Sequence, residues 1–209
     1  FYLQILIISI EKIKCLHDNN YLHLDIKPEN IMIFKGTAID HDIEISNNLK
    51  SFIKKYLSLD LPTFIKVKYI NFGCCKKVEN VDNVVSNNPK GTREYISKNV
   101  SQGKYTYKAD LYALGRMFTE LILILNNKEL NNNNKNKRFQ GVKNSENNDI
   151  DKFLKLLKNN NTQNFKGLIQ SLIPNSLGSE IKCLNGKNRE ESYSAMTDIL
   201  YIIKYFFKI

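Results

Sequence analysis

The sequence predicts a mainly α domain with a few short β-hairpins, and three observations predict it. Apolar residues recur at helical spacing at the start of the chain, in Asp151 to Lys158 and Phe165 to Ile173, and in the closing stretch Ser192 to Phe207. Two apolar runs of strand length, Ile31 to Ile33 and Phe64 to Tyr69, stand between them. With 209 residues and 42% hydrophobic content there is enough material for one core, so a single domain over 1–209 is expected.

Taken in order, Leu3, Leu6, Ile7, Ile10, Ile13, Lys14 and Leu16 to His17 form a helical stripe that is broken at Asp18-Asn19-Asn20. Ile31 to Ile33 suits a buried strand following a loop, and the apolar residues of Phe64 to Tyr69 alternate as a strand requires. The connection between them, 35–63, far exceeds the ~2 to 5 residues of a hairpin turn and reads as an insertion. Within it Leu49, Phe52, Ile53, Tyr56 and Leu57 recur at helical spacing behind a cap at Asn47 or Asn48, and the expectation is a helix covering part of the same domain, with a helix that docks a partner as the alternative. A second insertion, 126–149, contains Asn131 to Asn134, is too polar to bury and is expected to be disordered.

The chemistry concentrates in Tyr21-Leu22-His23-Leu24-Asp25-Ile26-Lys27-Pro28-Glu29-Asn30. A hydroxyl attacking a phosphate needs an oriented proton acceptor, which a loop carboxylate such as Asp25 can supply. Lys27 can meet the charge of a phosphoryl group, Asn30 offers an oxygen of the kind Mg²⁺ prefers, and Pro28 stiffens the backbone between them.

This segment resembles the catalytic loop of protein kinases, H-R-D-x-K-x-x-N, with Leu24 in the place of the arginine. Further likenesses follow in the family's order. Ile70-Asn71-Phe72-Gly73 stands where the family has D-F-G, and Gly91-Thr92-Arg93-Glu94-Tyr95 to Asn99 resembles the stretch from G-T-x-x-Y to A-P-E. Lys108-Ala109-Asp110-Leu111-Tyr112-Ala113-Leu114-Gly115 is similar to the start of the family's buried central helix, with Tyr112 replacing tryptophan.

The resemblance implies the helical C-lobe of a kinase, with short β-hairpins at the catalytic loop and the D-F-G-like site, and it implies ATP and Mg²⁺. It makes Asp25 and Lys27 catalytic, assigns Lys27, Asn30 and Met32 to the nucleotide, and assigns Asn30 and Asn71 to the metal. His23, Phe72, Thr92 and Asp110 become structural supports. Lys27 and Gly91-Thr92 look like the serine/threonine branch, so a protein substrate or a docking partner is expected. The chain opens at Phe1 and contains no two glycines separated by one residue and no V-A-I-K-like strand before the loop. The expectation is therefore the C-terminal half of such a domain, inactive by itself.

Departures from the family pattern bear on activity. Asn71 supplies a neutral amide where a hard cation prefers carboxylate, so a weakened metal site is expected. Leu24 removes the arginine that grips an activation-loop phosphate. Asn99 replaces the A-P-E glutamate, and the place of its arginine partner falls on Ser192; if Arg189 takes that role instead, it lacks its glutamate. Three readings stay open: a serine/threonine kinase homologue, a pseudokinase scaffold, or a degenerate fragment.

Composition adds limits. The formal charge is +10 and the pI about 9.3, but the lysines are spread along the chain with no RNA-binding aromatic motif, which argues against nucleic acid and suits AT-biased coding. Cys15, Cys74, Cys75 and Cys183 form no C-x-x-C pair, which suggests reduced thiols in a cytoplasmic protein, with Cys74 and Cys75 as small buried apolar groups. His41 between Asp40 and Asp42 reads as part of a solvated loop. No apolar run approaches the roughly twenty residues of a membrane span, and no signal peptide is evident.

Overall fold

Helix α1 (Tyr2–Asp18) follows the apolar stripe: Leu6, Ile7, Ile10, Ile13 and His17 are buried along one face. The computed structural model describes residues 2–36, 64–126, 170–172 and 181–207. The helix stops where the polar break begins, and Asn20 turns the chain with a left-handed φ of 62° that asparagine tolerates. Strand β1 (Tyr21–Leu22) leads from this turn into the loop that carries Asp25, and a short 3₁₀ turn at Pro28–Asn30 closes that loop.

Strands β2 (Ile31–Gly36) and β3 (Phe64–Tyr69) pair antiparallel, with Ile31 opposite Tyr69 and Gly36 opposite Phe64. In β3 the expected alternation holds: Val67 and Tyr69 are buried and Lys68 is exposed. The Tyr69 hydroxyl donates to the Ser9 carbonyl of α1 at 3.0 Å and fastens the hairpin to the helix. In β2 the expectation of a buried strand fails. Met32, Ile33 and Phe34 are 43%, 46% and 39% exposed, so consecutive side chains of β2, which alternate between the two faces, are both left uncovered. An apolar run reads the same whether it is covered by its own domain or left for something else to cover.

Two more ribbons frame the lobe. β4 (Lys76–Lys77) pairs with β1, and β5 (Val85–Ser86) pairs with β6 (Lys104–Tyr105) across α2 (Lys98–Ser101). Ser97 caps α2, its hydroxyl accepting from the Val100 N–H at 3.3 Å. Helix α3 (Lys108–Asn126) buries Asp110, Leu111, Tyr112, Ala113, Leu114, Phe118 and Thr119, nearly its whole circumference, as a central helix must. Helix α4 (Arg189–Phe207) begins three residues before the expected Ser192. The reason is a reciprocal cap: the Glu191 N–H donates to the Asn188 side chain and the Asn188 N–H to the Glu191 carboxylate, both at 3.0 Å. α1 packs on β3, α3 and α4, so the core sits around it.

Most of the insertion 35–63, with the Leu49 to Leu57 helix and His41, lies outside the described residues. So do 127–149 and Asp151 to Lys158. Of Phe165 to Ile173 only a helical turn at 170–172 is described, with Leu172 buried. Cys74 and Cys75 are half-buried rather than fully enclosed, Cys74 packing against the core.

One glycine decides how the Asp25 loop is held. Gly91 has φ +94°, and a Cβ there would stand 2.3 Å from the Leu24 carbonyl oxygen. Gly91→Ala therefore has to push the backbone of the loop aside, and it should cost about 2 kcal/mol or more. Chemical denaturation of the two proteins measures that loss.

Candidate active site

The site is built around one buried carboxylate on α3. Asp110, 1% exposed, accepts the His23 N–H at 2.9 Å and the Leu24 N–H at 2.8 Å, one on each oxygen, and also meets His17 Nε2 at 2.9 Å. Leu24 has φ 63°, a left-handed conformation worth roughly 1 to 3 kcal/mol of strain for such a residue. Its buried side chain and the bond to Asp110 hold it there. The turn this makes presents Asp25.

Asp25 is 9% exposed and both oxygens of its carboxylate have partners. Thr92 donates its hydroxyl to Oδ1 at 2.6 Å, Asn30 donates its amide to Oδ2 at 2.8 Å, and the Lys27 ammonium lies 3.3 Å from Oδ2. Lys27 also donates to the Thr92 hydroxyl at 2.7 Å, and Asn30 to the Asp25 carbonyl at 2.7 Å. Burial pushes the Asp25 carboxyl up, but the hydrogen bonds from Thr92 and Asn30 and the charge of Lys27 outweigh it and hold the group below its ordinary range. The unfolded chain therefore takes up this proton first. The stabilisation is complete above the unfolded value near 4 and is lost as the pH falls through the lower folded value. Urea midpoints of wild type and Asp25→Asn should accordingly converge as the pH falls below about 4.

The remaining expected site residues gather around this core. His23 accepts the Asp25 N–H on Nδ1 and directs Nε2 at the Ile70 carbonyl, both at 3.3 Å, so its proton sits on Nε2. Its ring lies 5.1 Å from that of Phe72 and 5.4 Å from that of Tyr69. Asn71, at a left-handed φ of 62°, is exposed and donates its amide to Asn30 Oδ1 at 3.2 Å. Met32 stands apart on β2, with its side chain exposed. A cavity of about 800 Å³ lies elsewhere, between α2, β6 and the start of α4, and includes none of these side chains.

A family model described as protein kinase domain matches residues 4–183. The chain belongs to the protein kinase family. It is 28% identical over 108 residues to gdt4, a probable serine/threonine-protein kinase of Dictyostelium discoideum, covering 51% of this chain and 5% of that protein. It is 27% identical over 113 residues to the serine/threonine-protein kinase AFC3 of Arabidopsis thaliana, covering 54% and 26%. It is also 30% identical over 109 residues to the eukaryotic translation initiation factor 2-alpha kinase pek-1 of Caenorhabditis elegans, covering 52% and 9%. The matched stretch is thus about a quarter or less of each relative's length.

As a member of the kinase family the chain shows how its departures are absorbed. Leu24, where the family has arginine, joins the apolar core. Asn99 is exposed, and Ser192 is buried but satisfied, donating to the Asn188 carbonyl at 2.7 Å and lying 3.2 Å from the Tyr107 hydroxyl. No bare charge is left at that place. Arg189 does not want for acidic partners: it lies 3.5 Å from Asp18 and 4.0 Å from Asp82 and donates to the His17 carbonyl at 3.3 Å.

Kinases in general use ATP and Mg²⁺, and the metal can be tested against the donors present here. The oxygens available to a cation, on Asn30 and Asn71, belong to neutral amides, and that of Asn30 already accepts the Asn71 amide. Among the described residues no group of three His, Cys, Asp or Glu could hold a metal ion. This donor set fits a hard divalent cation poorly. Two residues that sequence reasoning gave no role, His17 and Tyr193, are tied to Asp110. The available signal was a histidine on a mainly apolar helical stripe, since a buried polar group needs partners.

Proposed function

We propose that the chain carries the larger lobe of a serine/threonine protein kinase homologue, which transfers the terminal phosphoryl group of ATP to a protein hydroxyl at a reduced rate. The observation that carries this reading is the Asp25, Lys27 and Thr92 triangle, a carboxylate and an ammonium bridged by one hydroxyl. Asp25, kept ionised and aimed by Thr92 and Asn30, accepts the proton of the attacking hydroxyl. Lys27, anchored at the same point, faces the charge of the phosphoryl group. His23, Phe72 and Asp110 keep this loop in place, and Met32 provides apolar surface for the nucleotide base.

A second lobe seated over β2 and β3 is part of the reading. Met32, Ile33, Phe34 and Phe72 are exposed together, and a small lobe resting there would bury them. Segments 35–63 and 126–149 are read as insertions in the larger lobe. The setting is cytoplasmic, in keeping with four free cysteines. No described helix is long and apolar enough to cross a membrane.

One observation favours a second reading, a pseudokinase scaffold: the Asn71 amide occupies the Asn30 oxygen that a cation would need. Mg²⁺-dependent ATP binding by the full-length protein separates the two. Under the enzyme reading, Asn71→Asp should tighten Mg²⁺-dependent binding by roughly tenfold, a modest gain for restoring charge at a metal site. Binding that is absent in both proteins would favour the scaffold.

A further inference from the structure

Helix α4 docks on the last turns of α1 through one face. Glu190 pairs with Lys14 at 2.6 Å, Arg189 reaches the His17 carbonyl and Asp18, and the Tyr193 hydroxyl lies 2.5 Å from His17 Nδ1. The first contacts lie at the surface, whereas the last is enclosed: Tyr193 is 3% exposed and His17 is fully buried. On its other side the imidazole meets Asp110 at 2.9 Å, and Asp110 holds the backbone of His23 and Leu24. A continuous line of hydrogen bonds thus joins the closing helix to the turn that presents Asp25.

We propose that Tyr193 is a positioning residue for the catalytic loop, acting through His17 and Asp110. The proposal rests on the reading of Asp25 as the catalytic carboxylate, but its physical content lies in the direction of the bonds. Burial pushes the Tyr193 phenol far above its ordinary range, so the hydroxyl keeps its hydrogen and donates it. Its acceptor is His17 Nδ1, which leaves the imidazole proton on Nε2, facing the Asp110 carboxylate. The opposite tautomer would set a ring lone pair against a carboxylate oxygen. A doubly protonated ring would leave the phenol hydrogen buried without an acceptor.

The hydroxyl therefore selects the one state of His17 that donates to Asp110 without adding a charge. Asp110 Oδ2, shared between His17 and the His23 N–H, is fixed by that bond. Its other oxygen is then placed to hold Leu24 at φ 63°, a conformation leucine does not keep unaided. A residue at the far end of the described chain thereby decides how firmly the Asp25 turn is held.

The test uses the ¹⁵N-labelled protein, reading the His17 ring nitrogens by NMR and the hydrogen exchange of the His23 and Leu24 amides. Wild type should show a protonated Nε2 and a bare Nδ1. Tyr193→Phe, which removes only the hydroxyl, should speed exchange at both amides by about fivefold, the worth of one ordinary hydrogen bond, with far-UV circular dichroism unchanged. Tyr105→Phe is the control, because the Tyr105 hydroxyl is buried without a partner and deleting it should leave both amides as they were. In a His17→Leu background Tyr193→Phe should add nothing. If His17→Leu does not fold, the single Tyr193→Phe variant carries the test.

A protonated Nδ1 in wild type, or unchanged exchange in Tyr193→Phe, would overturn the proposal. Neither readout involves phosphoryl transfer, so loss of the catalytic reading and loss of this one are distinguishable.

Discussion

Asp110→Ala should destabilise the protein by about 3 to 5 kcal/mol, the largest stability effect expected of any single substitution at the site. The reason is the number of donors it would strand. The N–H groups of His23 and Leu24 and the Nε2 of His17 all point at this carboxylate inside the core. Each stranded donor costs about 1 to 3 kcal/mol, and the three costs do not add in full because the loop can relax. Leu24 would relax first, since its left-handed backbone is held by one of these bonds. Asp110→Asn should fall between wild type and alanine, as its amide would turn one oxygen into a donor facing donors. Urea denaturation of the three proteins gives the ordering, and equal midpoints for wild type and alanine would mean that Asp110 does not hold the loop.

The residues of the candidate site were legible because they lie close together in sequence. Asp25, Lys27 and Asn30 fall within one short loop, and the backbone needs only a tight turn and a 3₁₀ segment to converge them. Thr92 and Asp110 came from the family's motif order, and the structure brings both to that loop. What local pattern could not supply was long-range geometry. The Tyr193 to His17 bond joins residues 176 positions apart, and nothing in either neighbourhood marks the pairing.

Other features escaped for different reasons. The left-handed backbone of Leu24 is invisible because leucine does not signal such a turn; the need shows only at Gly91, whose missing Cβ makes room for the Leu24 carbonyl. The start of α4 was legible in Asn188 and Glu191, a capping pair that the apolar spacing of the helix overshadowed. The exposure of β2 was not, because hydrophobicity marks a strand without saying what will cover it.

The second large effect concerns Asp25. If this carboxylate accepts the proton of the attacking hydroxyl, Asp25→Asn should lower phosphoryl transfer by about 10² to 10⁴-fold while the fold persists. Asparagine keeps the side-chain shape but cannot take the proton, and it gives up the charge that draws Lys27 to 3.3 Å. Thr92 and Asn30 would still surround the position, so loss of activity could not be ascribed to loss of the loop.

The most direct test of the central claim is therefore phosphate transfer from labelled ATP in the presence of Mg²⁺, measured on the full-length protein as wild type, Asp25→Asn and Asn71→Asp. The account expects slow transfer by wild type, faster transfer by Asn71→Asp, and a drop of at least about a hundredfold in Asp25→Asn. Transfer that is indifferent to Asp25, or absent from both wild type and Asn71→Asp, would contradict it.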